Sequence, residues 1–460
     1  MKAVSVNIKD IIHADRFEPR FFYTKKSHET VFSKFGYDIL TENATLASGT
    51  TPEHSEEKIN ETDVCFLKSA DIKRFSINYQ TNSYISKEHH LKQKRSKVQN
   101  NDILISNTGK YLGFTSVFTQ VYEQANINQN SIRIRLNENT LYNPFFVSLY
   151  LNSKFGQEEI QSYLTITGQK YLNMQNFRQF RLPRFDKQFI DETTNDIKKI
   201  YEYEQNSIKL IEQAKQIFRN ALNLSNQNKK QISFSVNLQD FINEDMWTPR
   251  FSNPLFVNTD KKISEKFETV KLGEIATFQK GNEPGSDKYI GYEQSKEGDI
   301  PFIRTTDLVN HECDMFPDFF IPVEYYNEIN QDVKEYDILF TKDGKIGQTA
   351  MVCKGERAII ASGITRIRIK QINDISPEYL FVVLSNNETG YFSAYRRTVI
   401  GTTIPHLREE KLKDLLIPKI ETNLISQITE LIKTAFEMKH ERKIIIHTIF
   451  KKFNELINNE

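Results

Sequence analysis

The sequence predicts an α+β protein in which two similar mixed α/β domains are separated by two long antiparallel helices that form a coiled coil. Three observations lead to this prediction. The first half of the chain recurs in the second, each half contains short apolar segments between turn residues, and each half ends in a long polar stretch with helical periodicity. Each observation also indicates where a domain begins or ends.

The repeat is clearest at the start of each half. VNIKDIIHADRFEPRF at residues 6–21 recurs as VNLQDFINEDMWTPRF at residues 236–251, with eight of sixteen positions identical, where unrelated sequences would share about one. Further matched segments follow in the same order, at offsets of 230 to 236 residues: VCFLKSADI and IPFIRTTDL, VQNNDILISNTGK and VKEYDILFTKDGK, ANINQNSIRIRL and AIIASGITRIRI. Two periods of this length indicate duplicated domains rather than a solenoid.

Short apolar runs such as DILIS and DILFT, and alternating runs such as SIRIRL, predict strands within each half. Pro144 and Pro377 each open a segment with apolar residues at helical spacing, which suits the first turn of a helix. The halves therefore combine strands with short helices.

The stretch that ends each half has no Pro or Gly in its interior, and its apolar residues follow a 3-4 spacing. This pattern predicts two coiled-coil helices. Their apolar seam is interrupted by the polar residues Glu204, Lys215, Lys439 and Arg442. The predicted division is a first domain at 1–186, a helix and linker at 187–229, a second domain at 230–420 and a second helix at 421–460.

Composition narrows the class of protein. No run approaches 18 apolar residues, and the start MKAVSVNIKD lacks the apolar core of a secretory signal, which predicts a cytoplasmic protein. The three cysteines lack metal-ligand spacing, so neither zinc nor disulfides are expected. A net charge of +1 argues against a uniformly basic nucleic-acid binder, although a local basic groove remains compatible with it.

The order of domain, long helix, domain and long helix, with a Gly-Thr or Thr-Gly loop before LPRFD or IPKIE, resembles the specificity subunit of Type I restriction-modification enzymes. The resemblance spans nearly the whole chain. The stretches that carry it best are VKLGEIATFQKGNEP, IPFIRTTDL, DILFTKDGKIG, ASGITRIRI and GTTIPHLREEKLKDLLIPKI. The first half departs from this pattern, with TGQKYLNMQNFRQFRLPRF in place of the last stretch.

The resemblance implies two target-recognition domains that each read one half of a bipartite, asymmetric DNA site in a phage-defence system. It also implies methyltransferase subunits on the helix pair, and restriction or translocase subunits held through the methyltransferase. S-adenosylmethionine, ATP and Mg²⁺ are then expected on those partners, with no cofactor in this chain and no membrane contact. A helix of about 35 residues is roughly 50 Å long, enough to span one to two turns of B-DNA.

Base readout requires paired donors and acceptors on loops that enter the major groove. Candidates in the first half are Lys68, Ser69, Asn107, Thr108, Lys110, Asn128, Gln129, Asn130, Thr167, Gln169, Lys170 and Tyr171. Equivalent candidates in the second half are Arg304, Thr305, Thr306, Lys342, Lys345, Ser362, Thr365, Thr402, Thr403 and His406. For each of them, simple turn chemistry is the alternative explanation.

Three further segments are rich in basic residues. Residues 87–97 and 177–187 are candidates for phosphate contacts, with a solvated surface as the alternative. AYRRT at 394–398 adds Arg396 and Arg397 to the predicted DNA contacts. The repeated Pro-Arg-Phe segments at 19–21 and 249–251 are instead predicted to pack the domain entrance onto the long helices.

Enzyme motifs are not supported, so the chain is predicted to be non-catalytic. Asn143-Pro144-Phe145-Phe146 lacks the second Pro of a methyltransferase motif, and its repeat partner is Ser376-Pro377-Glu378-Tyr379. Asp337, Asp343 and Lys345 suggest a nuclease, but Asp343 has no counterpart in the first half, and no GxxxxGK loop occurs. The alternatives are the specificity chain of a Type II enzyme and an adaptor with duplicated protein-binding domains.

Overall fold

The computed structural model describes residues 5–14, 18–52, 64–80, 83–119, 122–167, 169–223, 233–242, 246–329, 331–370, 375–400 and 404–458. The chain divides into two compact units, Met1–Gln205 with Arg442–Glu460, and Asn206–Glu441. The predicted division kept both long helices apart from the domains, whereas each of these helices contributes one segment to each unit. The predicted domain limits stay a prediction.

The first unit is a mixed α/β domain. Its strands are β1 (Tyr37–Ile39), β2 (Ala44–Ser48), β3 (Val64–Leu67), β4 (Ile72–Lys73), β5 (Ser76–Ile77), β6 (Tyr84–Ile85), β7 (Lys97–Val98), β8 (Ile103–Ser106), β9 (Thr115–Val117), β10 (Ala125–Ile127), β11 (Ser131–Leu136), β12 (Leu164–Thr167), β13 (Gln169–Leu172) and β14 (Arg181–Pro183). Its helices are α1 (Ile8–Ala14), α2 (Pro19–Ser27), α3 (Glu29–Phe35), α4 (Leu40–Asn43), α5 (Lys87–Lys92), α6 (Pro144–Asn152), α7 (Lys154–Ser162), α8 (Met174–Phe177) and the first part of α9 (Lys187–Leu222).

The second unit repeats this organisation. Its strands are β15 (Glu268–Lys271), β16 (Ala276–Lys280), β17 (Ile290–Gly291), β18 (Ile300–Ile303), β19 (Leu308–Val309), β20 (Glu312–Cys313), β21 (Phe319–Ile321), β22 (Ile338–Thr341), β23 (Thr349–Met351), β24 (Ile359–Ile360), β25 (Ile364–Ile369), β26 (Val399–Ile400), β27 (Pro405–His406) and β28 (Leu416–Lys419). Its helices are α10 (Leu238–Ile242), α11 (Pro254–Lys266), α12 (Leu272–Ile275), α13 (Val323–Ile329), α14 (Pro377–Ser385), α15 (Ser393–Arg396), α16 (Glu409–Lys413) and the first part of α17 (Thr422–Asn458).

The sheets of the two units correspond strand by strand. The order β2-β11-β8-β9 in the first unit matches β16-β25-β22-β23 in the second, and the pairs β1-β14, β4-β5 and β12-β13 match β15-β28, β19-β20 and β26-β27. The other four-stranded sheets differ: β6-β3-β10-β7 stands opposite β17-β21-β18-β24. Both contain one parallel pair, β3 with β10 and β18 with β24. The predicted duplication of the fold is confirmed.

A glycine at the same place in each unit allows two backbone segments to touch. A Cβ on Gly49 would lie 2.0 Å from the carbonyl oxygen of Ile127, and a Cβ on Gly281 would lie 2.1 Å from that of Ala361. Real Cβ atoms do not approach this closely, so only glycine fits where β2 and β16 end beside the neighbouring turns.

Helices α6 and α14 begin as the sequence predicts. Asn143 and Ser376 cap them, and their side chains accept hydrogen bonds from the backbone N–H groups of Phe145 and Tyr379. Proline follows each cap, where its missing N–H costs no hydrogen bond. Asn143-Pro144 is therefore a helix start, as expected from its repeat partner.

The long helices bury the predicted seam against both the sheets and each other. In the first unit, Glu192 of α9 lies 3.6 Å from Lys452 of α17, and Glu204 lies 2.9 Å from Arg442, so the helices run antiparallel there. Phe189 and Phe453 stack in the same layer, with ring centroids 6.4 Å apart. Phe453 is completely buried, and burial of such a side chain contributes about 1.5–3 kcal/mol.

Candidate nucleic-acid interface

The four loops predicted as candidates in the first half meet in the first unit. The backbone N–H of Asn128 donates to the carbonyl of Leu67 over 3.0 Å, which joins the loop after β3 to the turn between β10 and β11. The N–H of Asn107 donates to the carbonyl of Asn130 over 3.1 Å, which adds the loop after β8. We call these joined loops, residues 68–69, 107–110, 128–130 and 169–171, the first surface.

The hairpin β12–β13 completes the first surface. The N–H of Leu172 donates to the carbonyl of Asn107 over 2.8 Å, and Thr108 forms an isolated β-bridge with Tyr171. The side chains of Thr167 and Gln169 lie outside the described part of the structure. The hairpin places Lys170 and Tyr171 beside the other three loops.

The side chains of the first surface differ in exposure. Lys110, Gln129, Lys170 and Tyr171 are exposed, and Lys68, Ser69, Asn107, Thr108 and Asn130 are half-buried. Asn128 is 8% exposed, and its side-chain oxygen accepts a hydrogen bond from the Ser131 hydroxyl over 2.9 Å. Asn128 therefore shapes the turn, while the exposed residues form the outer side of the surface.

The same backbone bonds build a second surface from residues 304–306, 342–345, 361–365 and 404–406. The N–H of Lys342 donates to the carbonyl of Gly363 over 2.9 Å, and the N–H of Ala361 donates to that of Ile303, also over 2.9 Å. The N–H of Leu407 donates to the carbonyl of Lys342 over 2.8 Å. Thr402 and Thr403 lie outside the described residues.

The exposed side chains of the second surface are Thr306, Lys345 and Ile404, with Thr305 and Ser362 half-buried. Thr365 is completely buried and Lys342 is 5% exposed. Burial lowers the pKa of Lys342, although the nearby Asp343 carboxylate opposes this effect. Lys342 and Thr365 thus belong to the support of the surface rather than to its outer face.

Two acidic residues that the sequence did not reveal hold the second surface in place. Glu283 accepts hydrogen bonds from the backbone N–H of Ser362 over 3.0 Å and from its hydroxyl over 2.9 Å. Burial alone would raise the pKa of Glu283, but these bonds, with one from Tyr289, hold it below its ordinary value. Asp318 binds the guanidinium of Arg304, and their separation of 14 residues carries no periodic signal.

The Asp343 carboxylate also binds the imidazole of His406, and the two residues form an isolated β-bridge. Their equivalents in the first surface are Thr108 and Tyr171, which form the same bridge without a charge. Corresponding backbone positions thus carry different chemistry in the two surfaces.

Comparison with known proteins finds a family match in the second half of the chain. Residues 264–427, which include the whole second surface, match the family described as Type I restriction modification DNA specificity domain. The first half lies outside the match but shares the fold of the second through the internal repeat, and the biological role of the chain is DNA specificity.

No curated protein sequence matches the chain. Among solved structures, the specificity subunit of a Type I system from M. genitalium is 13% identical, with 90% of this chain and 95% of that chain covered at a TM-score of 0.38. The HsdS subunit from Thermoanaerobacter tengcongensis is 13% identical, with 91% and 95% covered at a TM-score of 0.28. These scores are too low to support a conclusion about function.

Two predicted DNA contacts of this specificity subunit need correction. Arg396 and Arg397 lie 2.7 Å and 3.0 Å from the same Asp260 oxygen, and their side chains are only 7% and 11% exposed. The Arg396 guanidinium also packs over the Phe251 ring at 4.4 Å. Because both cations are buried and share one carboxylate inside the unit, they join α15 to α11 and are not placed to bind a phosphate.

The Pro-Arg-Phe segments are predicted to pack onto the long helices, but their described contacts are with other elements. Arg250 donates to the Thr398 hydroxyl over 2.6 Å and lies 4.1 Å from the Tyr395 ring. Phe21 is buried, with its ring 5.7 Å from that of Tyr163. These partners belong to the short elements of each unit rather than to the long helices.

The two basic runs differ in how many of their basic side chains are paired with carboxylates. In 177–187, Arg181 is buried against Glu159 at 2.8 Å and Arg184 binds Asp38, whereas Arg178 and Lys187 are exposed. In 87–97, His89 and His90 are buried, whereas the basic residues Lys87, Lys92, Lys94 and Arg95 are exposed. The second run keeps its predicted place as a candidate phosphate contact.

The nuclease interpretation finds no support in the structure. The Asp337 carboxylate accepts two bonds of 2.7 Å from the Arg368 guanidinium, as Asp102 does from Arg135 in the first unit. Asp343 is bound to His406. Among the described residues, no cluster of His, Cys, Asp and Glu could hold a metal ion, and no helix is long and apolar enough to span a membrane.

Proposed function

We propose that this specificity subunit reads a bipartite, asymmetric DNA target, with one half-site bound by each surface, and directs methyltransferase subunits to it. One observation carries the proposal. The two surfaces are built by equivalent backbone hydrogen bonds, and they share the lysine at Lys110 and Lys345, yet Gln129, Lys170 and Tyr171 of the first are replaced by Ser362, Pro405 and His406 in the second. Recognition of two unlike sequences requires a shared backbone arrangement that carries different base-contacting side chains.

The chemistry of the outer side chains suits base edges. The first surface offers the exposed amide of Gln129 and the ammonium groups of Lys110 and Lys170. The second offers Thr306 and Lys345. Amides pair with adenine, and ammonium groups donate to the acceptor atoms of guanine, whereas hydroxyls bind either type of base. The half-sites are therefore expected to differ in sequence.

Phosphate contacts complete the interface of the first unit. The exposed Lys87, Lys94 and Arg95 lie on α5 and the turn after it, and the Arg95 guanidinium binds the Ser48 hydroxyl at the end of β2. Since β2 ends next to Gly49 and the turn at Asn128, this basic group borders the first surface. Such contacts position the duplex and make binding depend on salt.

The chain is proposed to be non-catalytic. The residues that superficially match methyltransferase or nuclease motifs have structural roles, as a helix start and as the partner of an arginine. Methylation, DNA cleavage and translocation, with S-adenosylmethionine, Mg²⁺ and ATP, are assigned to partner subunits.

Methyltransferase subunits are proposed to bind the outer faces of the long helices, and restriction subunits to bind through the methyltransferase. Both helices keep a continuous row of charged and polar residues on the side away from the seam. Ile444 is 45% exposed on this face of α17 and offers an apolar contact.

Methylome sequencing of cells with and without the gene tests the proposal. We expect adenine methylation at one bipartite motif to disappear on deletion and to return with the wild-type gene. Unchanged methylation would contradict a specificity role. Binding of the purified chain to duplexes containing that motif, measured across a salt series, then separates sequence preference from charge attraction.

A further inference from the structure

Each unit places one two-stranded hairpin against the long helices. The hairpin β4–β5 does so in the first unit and β19–β20 in the second. The tip residues Phe75 and His311 have positive φ angles of 57° and 68°, a conformation that bulky L-residues rarely adopt. Both tips are therefore held in a strained conformation that presents a specific side chain to the helices.

In the first unit, the hairpin contacts one carboxylate and one aromatic ring. Ser76 donates its hydroxyl hydrogen to Glu204 of α9 over 2.7 Å, and Arg442 of α17 lies 2.9 Å from the same carboxylate. The Phe75 ring lies 5.3 Å from the ring of Phe450. Glu204 and Arg442 are 1% and 4% exposed, so their charges cancel within the buried layer.

In the second unit, the buried carboxylate belongs to the hairpin rather than to a long helix. Glu312 lies 3.1 Å from the ammonium group of Lys439, which is completely buried. His311 Nδ1 is 2.9 Å from the carbonyl oxygen of Thr349, so Nδ1 carries the ring proton and Nε2 accepts a bond from Lys215 over 2.9 Å. Burial, reinforced by Lys215, holds the pKa of His311 well below its ordinary value and keeps the ring neutral.

These two sets of contacts occupy equivalent positions. The long helices begin at Lys187 and Thr422, an offset of 235 residues, and the hairpins are offset by 236. The resulting equivalent pairs are Phe75 and His311, Ser76 and Glu312, Glu204 and Lys439, Arg442 and Ser207, and Phe450 and Lys215. All five positions differ in chemistry between the units.

Exchange of the hairpins would produce buried charge conflicts. Glu312 at the place of Ser76 would face the Glu204 carboxylate, which receives a hydroxyl there in the native contact. Ser76 at the place of Glu312 would deprive the Lys439 ammonium of its carboxylate. A buried charge without its counterpart is strongly destabilising, and two buried carboxylates repel each other.

We propose that these five residues in each unit form a specificity code, which we call the address. The code allows each pair of helix segments to pack stably only against the recognition domain of the same unit. They act as positioning residues, since they determine which pair of helix segments holds the first surface and which holds the second. The order of the two half-sites in the DNA target follows from this assignment. The consequence for DNA rests on the proposed function, whereas the assignment of domains to helices does not.

Exchange of the address in the full-length chain tests the proposal. The hairpin graft His311→Phe with Glu312→Ser should lower the melting temperature of the second unit by about 5–10 °C. Addition of the first unit's helix residues, Ser207→Arg, Lys215→Phe and Lys439→Glu, should restore most of this loss. The reverse graft, Phe75→His with Ser76→Glu, should be restored by Glu204→Lys, Arg442→Ser and Phe450→Lys.

Calorimetry of the purified chain gives the readout without DNA. As a control, reversal of the exposed pair Glu192 and Lys452, 3.6 Å apart and each about half exposed, should leave the melting temperature unchanged. A hairpin graft as stable as the wild type, or a helix graft that restores nothing, would overturn the proposal. Absence of sequence-dependent DNA binding by the wild-type chain would instead count against the proposed function alone.

Discussion

Arg396 and Asp260 form a buried ion pair, with Nη1 and Oδ2 2.7 Å apart and side chains only 7% and 11% exposed. The pair joins α15 to α11, and the two residues are 136 positions apart in the sequence. Arg397 binds the same carboxylate. Residues that look like DNA contacts in the sequence thus hold the second unit together.

The substitution Arg396→Ala is therefore expected to destabilise the second unit. Removal of the Arg396 side chain deletes its charged hydrogen bond to Asp260, which Arg397 still pairs, and its packing over the Phe251 ring, so we expect a loss of about 1.5–3 kcal/mol. Urea unfolding measures the loss, and Lys261→Ala, at the exposed pair with Glu265, serves as the control. An Arg396→Ala chain with wild-type stability and weakened DNA binding would restore Arg396 to the predicted contacts.

The second prediction concerns the stability effect of substitutions at Gly49 and Gly281, which lie next to the two surfaces. Gly49→Ala and Gly281→Ala each force a Cβ against a backbone carbonyl, so we expect each to lower the free energy of unfolding by about 1–3 kcal/mol or more. Gly291→Ala is the matched control, because a Cβ there meets no atom within 4 Å. Equal stability of all three variants would show that the backbone relaxes at little cost.

The duplicated fold was predictable because period and identity are properties of the sequence itself. The strands β8 and β22, the helix starts at Pro144 and Pro377 and the polar interruptions of the long helices all stand where the patterns indicate.

The roles of individual charged residues were not predictable. Arg396 and Arg181 resemble free basic groups in the sequence, but Asp260 and Glu159 neutralise them from distant parts of the chain. Glu283 stands 79 residues from Ser362, which it supports. Ion pairing across such separations depends on tertiary packing, which leaves no local pattern.

Stability of the second unit should depend on pH through His311. Its folded pKa lies well below the ordinary value of 6.5, so the unfolded chain binds a proton below pH 6.5 that the folded chain refuses. Stability is then lost as pH falls, at up to about 1.4 kcal/mol per pH unit. The charged groups around the ring are Lys215 and Lys439 of the long helices and Glu312 of the hairpin.

The variant His311→Gln isolates this effect, since an amide accepts a bond from Lys215 without titrating. Its unfolding free energy, measured from about pH 7.5 to 5.0, should fall less steeply than that of the wild type. His28 acts in the opposite direction: burial would lower its pKa, but Glu158 and Glu159 raise it, so its contribution is present at low pH and is lost as pH rises. Identical slopes for both chains would refute the role of His311.

The two surfaces should be separable by substitution at their exposed outer residues. Gln129→Ala in the first surface and Lys345→Ala in the second each remove a group that can bond a base, worth about 1–3 kcal/mol of discrimination. Because both side chains are exposed, neither variant should change the melting temperature. Methylome sequencing should show relaxed specificity in one half-site for the first variant and in the other half-site for the second. Relaxation of both halves by a single variant would mean that the surfaces do not read independently, and a uniform loss across all sequences would assign that residue to the phosphate backbone.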